Sequence, residues 1–144
     1  QQSFSLILCD VDYFKRYNDR YGHQQGDACL QQVAKQMQLA VRGATDCVAR
    51  YGGEEFAVIL PNTSLADAIA VAQRIQTQIQ QEQIIHHDSE VGTCITLSFG
   101  VASVVPTDAI TPNWLVALAD RALYAAKQQG RDRIVELEAD HAKL

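Results

Sequence analysis

Two short acidic segments in the sequence carry residue types that could do metal chemistry. Asp10 and Asp12 directly follow an apolar run, and Glu54 and Glu55 lie between two further apolar runs. If the strands that carry them are neighbours, four carboxylates meet at one end of a sheet and repel one another unless protonated or neutralised by cations. A few oxygen ligands with room for water and phosphate suit Mg²⁺. From the residues alone, a metal site and a solvated acidic turn are about equally well supported.

The glycine pair Gly52 and Gly53 stands directly before the second acidic segment. Glycines let the backbone approach a ligand closely and adopt positive φ. A tight hairpin turn needs them as well, without any ligand. Two acids straight after the pair carry an electrostatic cost, and a bound ligand would explain that cost.

Two cations flank Gly130 at the end of the last long helical pattern. Lys127 and Arg131 suit phosphate, because arginine makes bidentate contacts and lysine acts as a point charge. Cations at a helix C-terminus also complement the helix dipole without any ligand. Both interpretations remain open at this point.

Asn18 and Asp27 are candidates for reading a guanine base. A carboxylate accepts hydrogen bonds from the N1–H and the exocyclic amine of guanine, whereas N1 of adenine is itself an acceptor. Asn18 can complement the remaining edge of the base. From spacing alone, Asp27 after Gly26 is better explained as a helix N-cap.

The hydrophobic pattern predicts the element order β-α-β-β-α-β-α-β, with an additional short helix over residues 13–21. Residues 4–9, 47–51, 56–60, 94–102 and 133–138 have strand patterns, and the second and third of these form a hairpin. Ser64 with Asp67 resembles a capping box, and Thr111 before Pro112 is typical of a helix start. Residues 86–93 are polar and predict a mobile loop. We expect an α/β or α+β fold with helices packed on a mixed sheet.

The composition indicates one globular domain of 144 residues with 47% apolar residues. A net charge of −5 gives nucleic acid no general attraction, so we expect no nucleic-acid partner. The sequence has neither the run of ~20 apolar residues that spans a bilayer nor a signal-peptide pattern, so we expect no membrane contact and a cytoplasmic location. We interpret the cysteines as small buried apolar residues in a reducing compartment. They are Cys9, Cys29, Cys47 and Cys94.

Taken together, the candidate residues resemble the GGDEF family in order and spacing, from about Phe4 to Val135. The signature turn has the form Gly-Gly-Glu-Glu-Phe, which is typical of active members. The motifs are Asp10-Val11-Asp12-Tyr13-Phe14-Lys15-x-x-Asn18-Asp19, Gly22-His23-x-x-Gly26-Asp27, Arg50-Tyr51-Gly52-Gly53-Glu54-Glu55-Phe56, Ser98-x-Gly100-Val101-Ala102 and Ala119-Asp120-x-Ala122-Leu123-Tyr124-x-Ala126-Lys127-x-x-Gly130-Arg131.

The resemblance implies a ferredoxin-like palm similar to that of nucleotidyl cyclases, with a central mixed or antiparallel sheet flanked by helices. It implies a diguanylate cyclase, which joins two GTP molecules into cyclic di-GMP and releases two pyrophosphates. Each domain would hold one GTP, so turnover would need a homodimer. Residues 1–144 would be a single domain cut from a longer cytosolic or membrane-attached sensor, without the usual segment before the first strand.

The resemblance also implies roles for single residues. Two Mg²⁺ ions per GTP, or Mn²⁺ in their place, would bind Asp10, Glu54 and the backbone carbonyl of Val11. Glu55 would support the turn and help to activate the 3′-hydroxyl, which makes Asp10, Glu54 and Glu55 the catalytic set. The substrate-binding residues would be Phe14 and Lys15 near the phosphates, Gly52 and Gly53 in the signature turn, Asn18 and Asp27 at guanine, and Lys127 and Arg131 at the terminal phosphates.

One departure from the family concerns an inhibitory product site of the form Arg-x-x-Asp before the signature turn. Asp46 is in place, but Gly43 stands where arginine is expected, and Arg42 is one position early. We therefore predict weak or absent product inhibition through this motif. The alternative to the enzyme is a catalytically silent module that binds GTP or cyclic di-GMP and regulates a neighbouring domain. A cyclase with relaxed base choice is a third possibility, against which Asp27 argues.

Overall fold

The computed structural model describes residues 2–139. The described chain contains five strands and four helices in the predicted order, with the additional short helix present as α1. They are β1 (Phe4–Val11), α1 (Phe14–Tyr21), α2 (His23–Ala40), β2 (Cys47–Gly52), β3 (Glu55–Leu60), α3 (Leu65–Glu82), β4 (Leu97–Val104), α4 (Pro112–Gln128) and β5 (Ile134–Glu138).

The strands form one mixed sheet in the order β2-β3-β1-β4-β5. All neighbours pair antiparallel except β4 and β5, which are parallel. β1 is central and buried over nearly its whole length, which explains its almost uninterrupted apolar sequence. β2 lies at one edge and is largely exposed. The predicted mixed sheet with flanking helices is confirmed.

Each face of the sheet packs against a different set of helices. Side chains of a strand alternate between faces, so Ile7 joins the core beneath α1, α2 and α3. Leu6 and Leu8 point to the other face and pack against α4. A side chain at Gly100 of β4 would collide with the backbone of α4, so this glycine permits the close packing that fixes α4 on the sheet. The C-terminal end of α4 is thereby brought to the end of β1.

Both predicted helix starts are confirmed by their caps. Ser64 Oγ accepts from the backbone N–H of Asp67 at 3.1 Å, and Thr111 Oγ1 accepts from that of Trp114 at 3.2 Å. Asp27 differs, because α2 begins at His23 and has Gly22 as its N-cap. The interpretation of Asp27 as an N-cap is therefore wrong, and its side chain lies exposed on the surface of α2.

Two further sequence predictions are corrected, namely the burial of the cysteines and the start of the fourth strand. Cys47 is exposed on the edge strand and Cys94 is only partly covered, so the prediction of buried cysteines holds only for Cys9 and Cys29. Residues 86–93 are anchored at their base, where Ile85 and Cys94 form an isolated antiparallel bridge. Accordingly β4 begins only at Leu97.

No helix within residues 2–139 has the length and apolarity needed to cross a bilayer.

Candidate active site

The two acidic segments meet at one end of the sheet, as the sequence predicts. β1 and β3 are antiparallel neighbours, and Asp10 pairs in register with Glu55. The backbone N–H of Val11 donates to the carbonyl oxygen of Glu54 at 3.3 Å. Gly53 adopts a φ of 36° in the turn before Glu54, a conformation that favours glycine. The hairpin between β2 and β3 therefore sets Glu54 and Glu55 beside the end of β1.

Asp10 is the most strongly perturbed carboxylate of this end. Only 6% of the residue is exposed, and Lys127 Nζ donates to its Oδ2. Burial raises the pKa of Asp10 from 3.8 to about 6, the lysine opposes this rise, and the charges of Glu54 and Glu55 add to it. Burial thus outweighs the pairing with Lys127. A divalent cation would add further positive charge beside this carboxylate.

Asp12 serves a different purpose from the other three carboxylates. It is 1% exposed. Its Oδ1 accepts from Ser98 Oγ at 2.6 Å, and its Oδ2 accepts from Thr96 Oγ1 at 2.7 Å and from the Asp132 N–H at 3.1 Å. Asp12 thus lies at the same end of the sheet as the other three carboxylates, but its oxygens bond to the surrounding chain. Its carboxylate fixes the loop after α4 to the end of β1.

The loop after α4 carries Arg131, the second of the two cations that the sequence predicts for phosphate binding. α4 ends at Gln128, and the following residues Gly130, Arg131 and Asp132 all have positive φ. The turn places the Arg131 guanidinium 4.7 Å from the centre of the Tyr13 ring and 3.9 Å from Asp12 Oδ1. Lys127 and Arg131 thus both reach the end of β1, beside the acidic residues.

The candidate guanine-reading residues lie on α1 and α2. Asn18 on α1 contacts Gly26 on α2 so closely that a Cβ at residue 26 would overlap Asn18 Oδ1. This oxygen is buried and has no hydrogen-bond partner within the described residues. Asp27 is the next residue of α2 and is exposed. An unpaired buried acceptor beside an exposed carboxylate suits a ligand that brings several N–H donors.

The remaining candidates, Phe14 and Lys15, begin α1. The Phe14 ring is buried in the core and stacks on Tyr17 with the ring centres 5.9 Å apart. It is therefore the backbone of Phe14, not its ring, that is available to a phosphate. Lys15 is exposed, and its side chain forms no hydrogen bond with another described residue.

The residues present fit Mg²⁺. Within residues 2–139 no three His, Cys, Asp or Glu side chains form a ready-made metal cluster. Mg²⁺ ordinarily binds through one or two carboxylates together with water and substrate phosphates. Asp10, Glu54 and the carbonyl of Val11 would supply an oxygen donor set of this kind, and a cation there would offset the charges of Glu54 and Glu55 that raise the pKa of Asp10.

Sequence reasoning missed the residues that support the site. Thr96 and Ser98 bind Asp12, and His86 bonds to Tyr13 across the turn after β1. Hydroxyl residues on a strand next to an acidic segment offered a weak signal for the first pair. His86 lies in a polar stretch whose pattern gives no indication that its side chain is buried.

Comparison with known proteins agrees with this geometry. Residues 1–133 match the family model described as "Diguanylate cyclase, GGDEF domain". Diguanylate cyclase A of Treponema denticola is 42% identical over 134 residues, which are 93% of this chain and 35% of the relative. The chain therefore spans about a third of that curated relative.

Solved structures agree as well. The GGDEF domain of DgcB from Caulobacter crescentus, in complex with c-di-GMP, superposes with a TM-score of 0.82 at 32% identity over 94% of this chain and 78% of that one. The active GGEEF domain of a diguanylate cyclase from Vibrio cholerae superposes with a TM-score of 0.79 at 34% identity over 96% and 85% of the two chains. On its sequence match, its fold and its acidic turn, this chain belongs to the GGDEF domain family.

Proposed function

We propose that this domain is a diguanylate cyclase that condenses two GTP molecules into cyclic di-GMP. The observation that supports this most strongly is the position of Asp10, a buried carboxylate at the end of β1, in register with Glu55 of the Gly-Gly-Glu-Glu turn. Family membership and the relatives named as diguanylate cyclases support the same activity.

GTP binding would use three groups of residues. Asn18 and Asp27 take the guanine edge, because an acceptor pair matches the donors of guanine and not those of adenine. Lys127 and Arg131 take the terminal phosphates at the end of α4. The remaining phosphate oxygens would lie beside the backbone of the turn at Gly53, the start of α1 and the Lys15 ammonium.

Two Mg²⁺ ions, or Mn²⁺ in their place, would be held by Asp10, Glu54 and the carbonyl of Val11. When bound, such ions neutralise phosphate charge and lower the pKa of a coordinated hydroxyl. Glu55, which pairs with Asp10 in register, is assigned to the proton of the attacking 3′-hydroxyl. Lys127 would leave Asp10 and move to a phosphate oxygen, because the metal takes over the role of its positive charge.

The reaction requires two such sites facing each other. Each 3′-oxygen forms a bond to the α-phosphorus of the opposite GTP, and the bond from that phosphorus to the pyrophosphate oxygen breaks. The proton of each hydroxyl leaves to Glu55 or to solvent. Catalysis then consists mostly of positioning and charge neutralisation, and so a homodimer is required for turnover. A cytoplasmic location would supply both GTP and Mg²⁺.

The test is product formation from GTP and Mg²⁺, measured by chromatography on preparations whose dimeric state is checked by light scattering. We expect cyclic di-GMP from the unchanged chain and none from Glu54→Gln, which removes a metal ligand and keeps the side-chain shape. Glu136→Gln on the exposed edge strand β5 is the matched control and should retain full turnover.

The outcomes separate the candidate functions. GTP binding without any product from the dimer would favour the regulatory module over the enzyme. Full turnover by Glu54→Gln would show that the metal assignment is wrong. Addition of ATP with GTP tests base choice, and a mixed cyclic dinucleotide would contradict the assignment of Asp27.

A further inference from the structure

The turn between β1 and α1 contains a residue in an unfavourable conformation. Tyr13 has φ 55° and ψ 35°, the left-handed region, and it precedes α1 without a side-chain cap. A bulky residue that is not glycine rarely adopts this conformation, because its Cβ crowds the backbone. Such a residue is held by its surroundings, and these positions are frequent at functional sites.

The side chain that holds Tyr13 is His86, which is completely buried. His86 Nε2 lies 2.9 Å from the carbonyl oxygen of Tyr13, which also accepts from the N–H of Tyr17 at 3.1 Å. Because a carbonyl only accepts, Nε2 must carry the hydrogen and donate it. Nδ1 is buried and has no partner within residues 2–139. The ring therefore makes its single side-chain hydrogen bond to this one carbonyl.

The backbone around His86 is fixed from both sides. Its N–H donates to the carbonyl of Thr93 at 2.8 Å, and the N–H of Ile95 donates to the carbonyl of Ile84 at 2.7 Å. The same segment continues to Thr96, whose carbonyl accepts from the Asp12 N–H at 3.0 Å. The segment that carries His86 is thus bonded to the chain directly before Tyr13 and, through His86, to Tyr13 itself.

Tyr13 in turn supports groups that face the proposed nucleotide. The Arg131 guanidinium lies over its ring at 4.7 Å, and that of Arg16 lies at the same distance. Stacking on an aromatic ring restricts a guanidinium to one plane and attracts it electrostatically. The residue also joins the metal-binding end of β1 to α1, which carries Asn18. A shift at Tyr13 would therefore displace both Arg131 and α1.

We propose that His86 is a positioning residue of the nucleotide site. Its Nε2–H fixes the left-handed Tyr13, and Tyr13 holds Arg131 and the start of α1 where GTP binds. The functional consequence rests on the proposed function, whereas the hydrogen bond itself does not. His86 touches neither substrate nor metal in this scheme and acts through Tyr13.

The test compares His86→Leu, which removes the donor, with His86→Gln, whose amide N–H reaches a position similar to Nε2. His87→Ala is the control, because the neighbouring His87 is exposed. Affinity for a non-hydrolysable GTP analogue with Mg²⁺ is measured by calorimetry, and KM and kcat are measured separately. We expect His86→Leu to weaken affinity and raise KM by about three- to tenfold, with a smaller change in kcat. His86→Gln should recover most of the affinity.

A purely structural role would give a different result. His86→Leu would then lower the melting temperature but leave the affinity of the folded protein unchanged, and that result would overturn the proposal. If His86→Leu fails to fold, a second variant without a donor, His86→Met, takes its place. Equal affinity of His86→Met and His86→Gln for the GTP analogue would then overturn the proposal.

A measurement that needs no ligand separates this proposal from the proposed function. Nitrogen NMR of the unchanged chain should show a hydrogen on Nε2 of His86. A hydrogen on Nδ1 instead would overturn the proposal even if the chain makes cyclic di-GMP. Failure of the unchanged chain to bind GTP would contradict the proposed function, while the tautomer would still report on the contact.

Discussion

Replacing Asp10 with asparagine should stabilise the chain at neutral pH while abolishing turnover. Burial raises the pKa of Asp10 from 3.8 to about 6, with Glu54 and Glu55 adding to the rise in spite of Lys127. Each pKa unit corresponds to about 1.4 kcal/mol, so keeping Asp10 ionised costs the fold at most about 3 kcal/mol. Asparagine has nearly the same shape and carries no charge, so this cost disappears with it.

The sign of the pH dependence follows from the raised pKa. Between pH of about 4 and 6 the folded chain binds a proton at Asp10 that the unfolded chain has released. The contribution of Asp10 to stability therefore falls as pH rises through this window and is constant above it. The free energy of unfolding that Asp10→Asn gains over the unchanged chain should be absent near pH 3.8, grow up to about pH 6 and then stay level.

The assay is thermal unfolding of both proteins across this pH range, followed by circular dichroism. A gain of about 3 kcal/mol corresponds to roughly 10 °C in melting temperature for a domain of this size, which is an upper limit. Asp108→Asn, at an exposed loop position, is the control and should change little at any pH. A lower melting temperature for Asp10→Asn at about pH 8, or an advantage independent of pH, would refute the reasoning.

Three further predictions concern the base and product sites. Gly26→Ala should lower the melting temperature, because its Cβ would overlap the buried Asn18 Oδ1 and lie 3.3 Å from the Phe14 ring, and this crowding outweighs a gain in helix propensity of about 1 kcal/mol. It should also weaken GTP binding, measured by calorimetry, because Asn18 is displaced. Asp27→Ala should lower discrimination against ATP in competition binding, and unchanged discrimination would remove it from the base pocket. Cyclic di-GMP should inhibit the unchanged chain weakly in turnover assays, because Gly43 offers no guanidinium at the position three residues before Asp46. Gly43→Arg should strengthen that inhibition, and strong inhibition without the change would contradict this reading.

Much of the fold is encoded in local patterns. The apolar run of β1, the hairpin turn at Gly53 and the caps at Ser64 and Thr111 each depend on residues close together in sequence. The meeting of Asp10 with Glu55 could be predicted because one hairpin carries the glutamates and a buried strand ends at the aspartate. It required only that the two strands be neighbours, which they are.

The supporting contacts of the site could not be predicted in this way. Asp12 resembles Asp10 in sequence, but its partners Thr96 and Asp132 lie far along the chain and become neighbours only in the folded sheet. His86 is buried because a short bridge between Ile85 and Cys94 folds the polar segment back over the turn after β1. Long-range contacts of this kind leave no periodic signal in the sequence.

A crystal structure with a non-hydrolysable GTP analogue and Mn²⁺ tests the central assignment most directly. The anomalous signal of the metal should lie between the carboxylates of Asp10 and Glu54, with Lys127 Nζ moved from Asp10 to a phosphate oxygen. A nucleotide bound elsewhere, or Lys127 still paired with Asp10 and no metal beside it, would contradict the account.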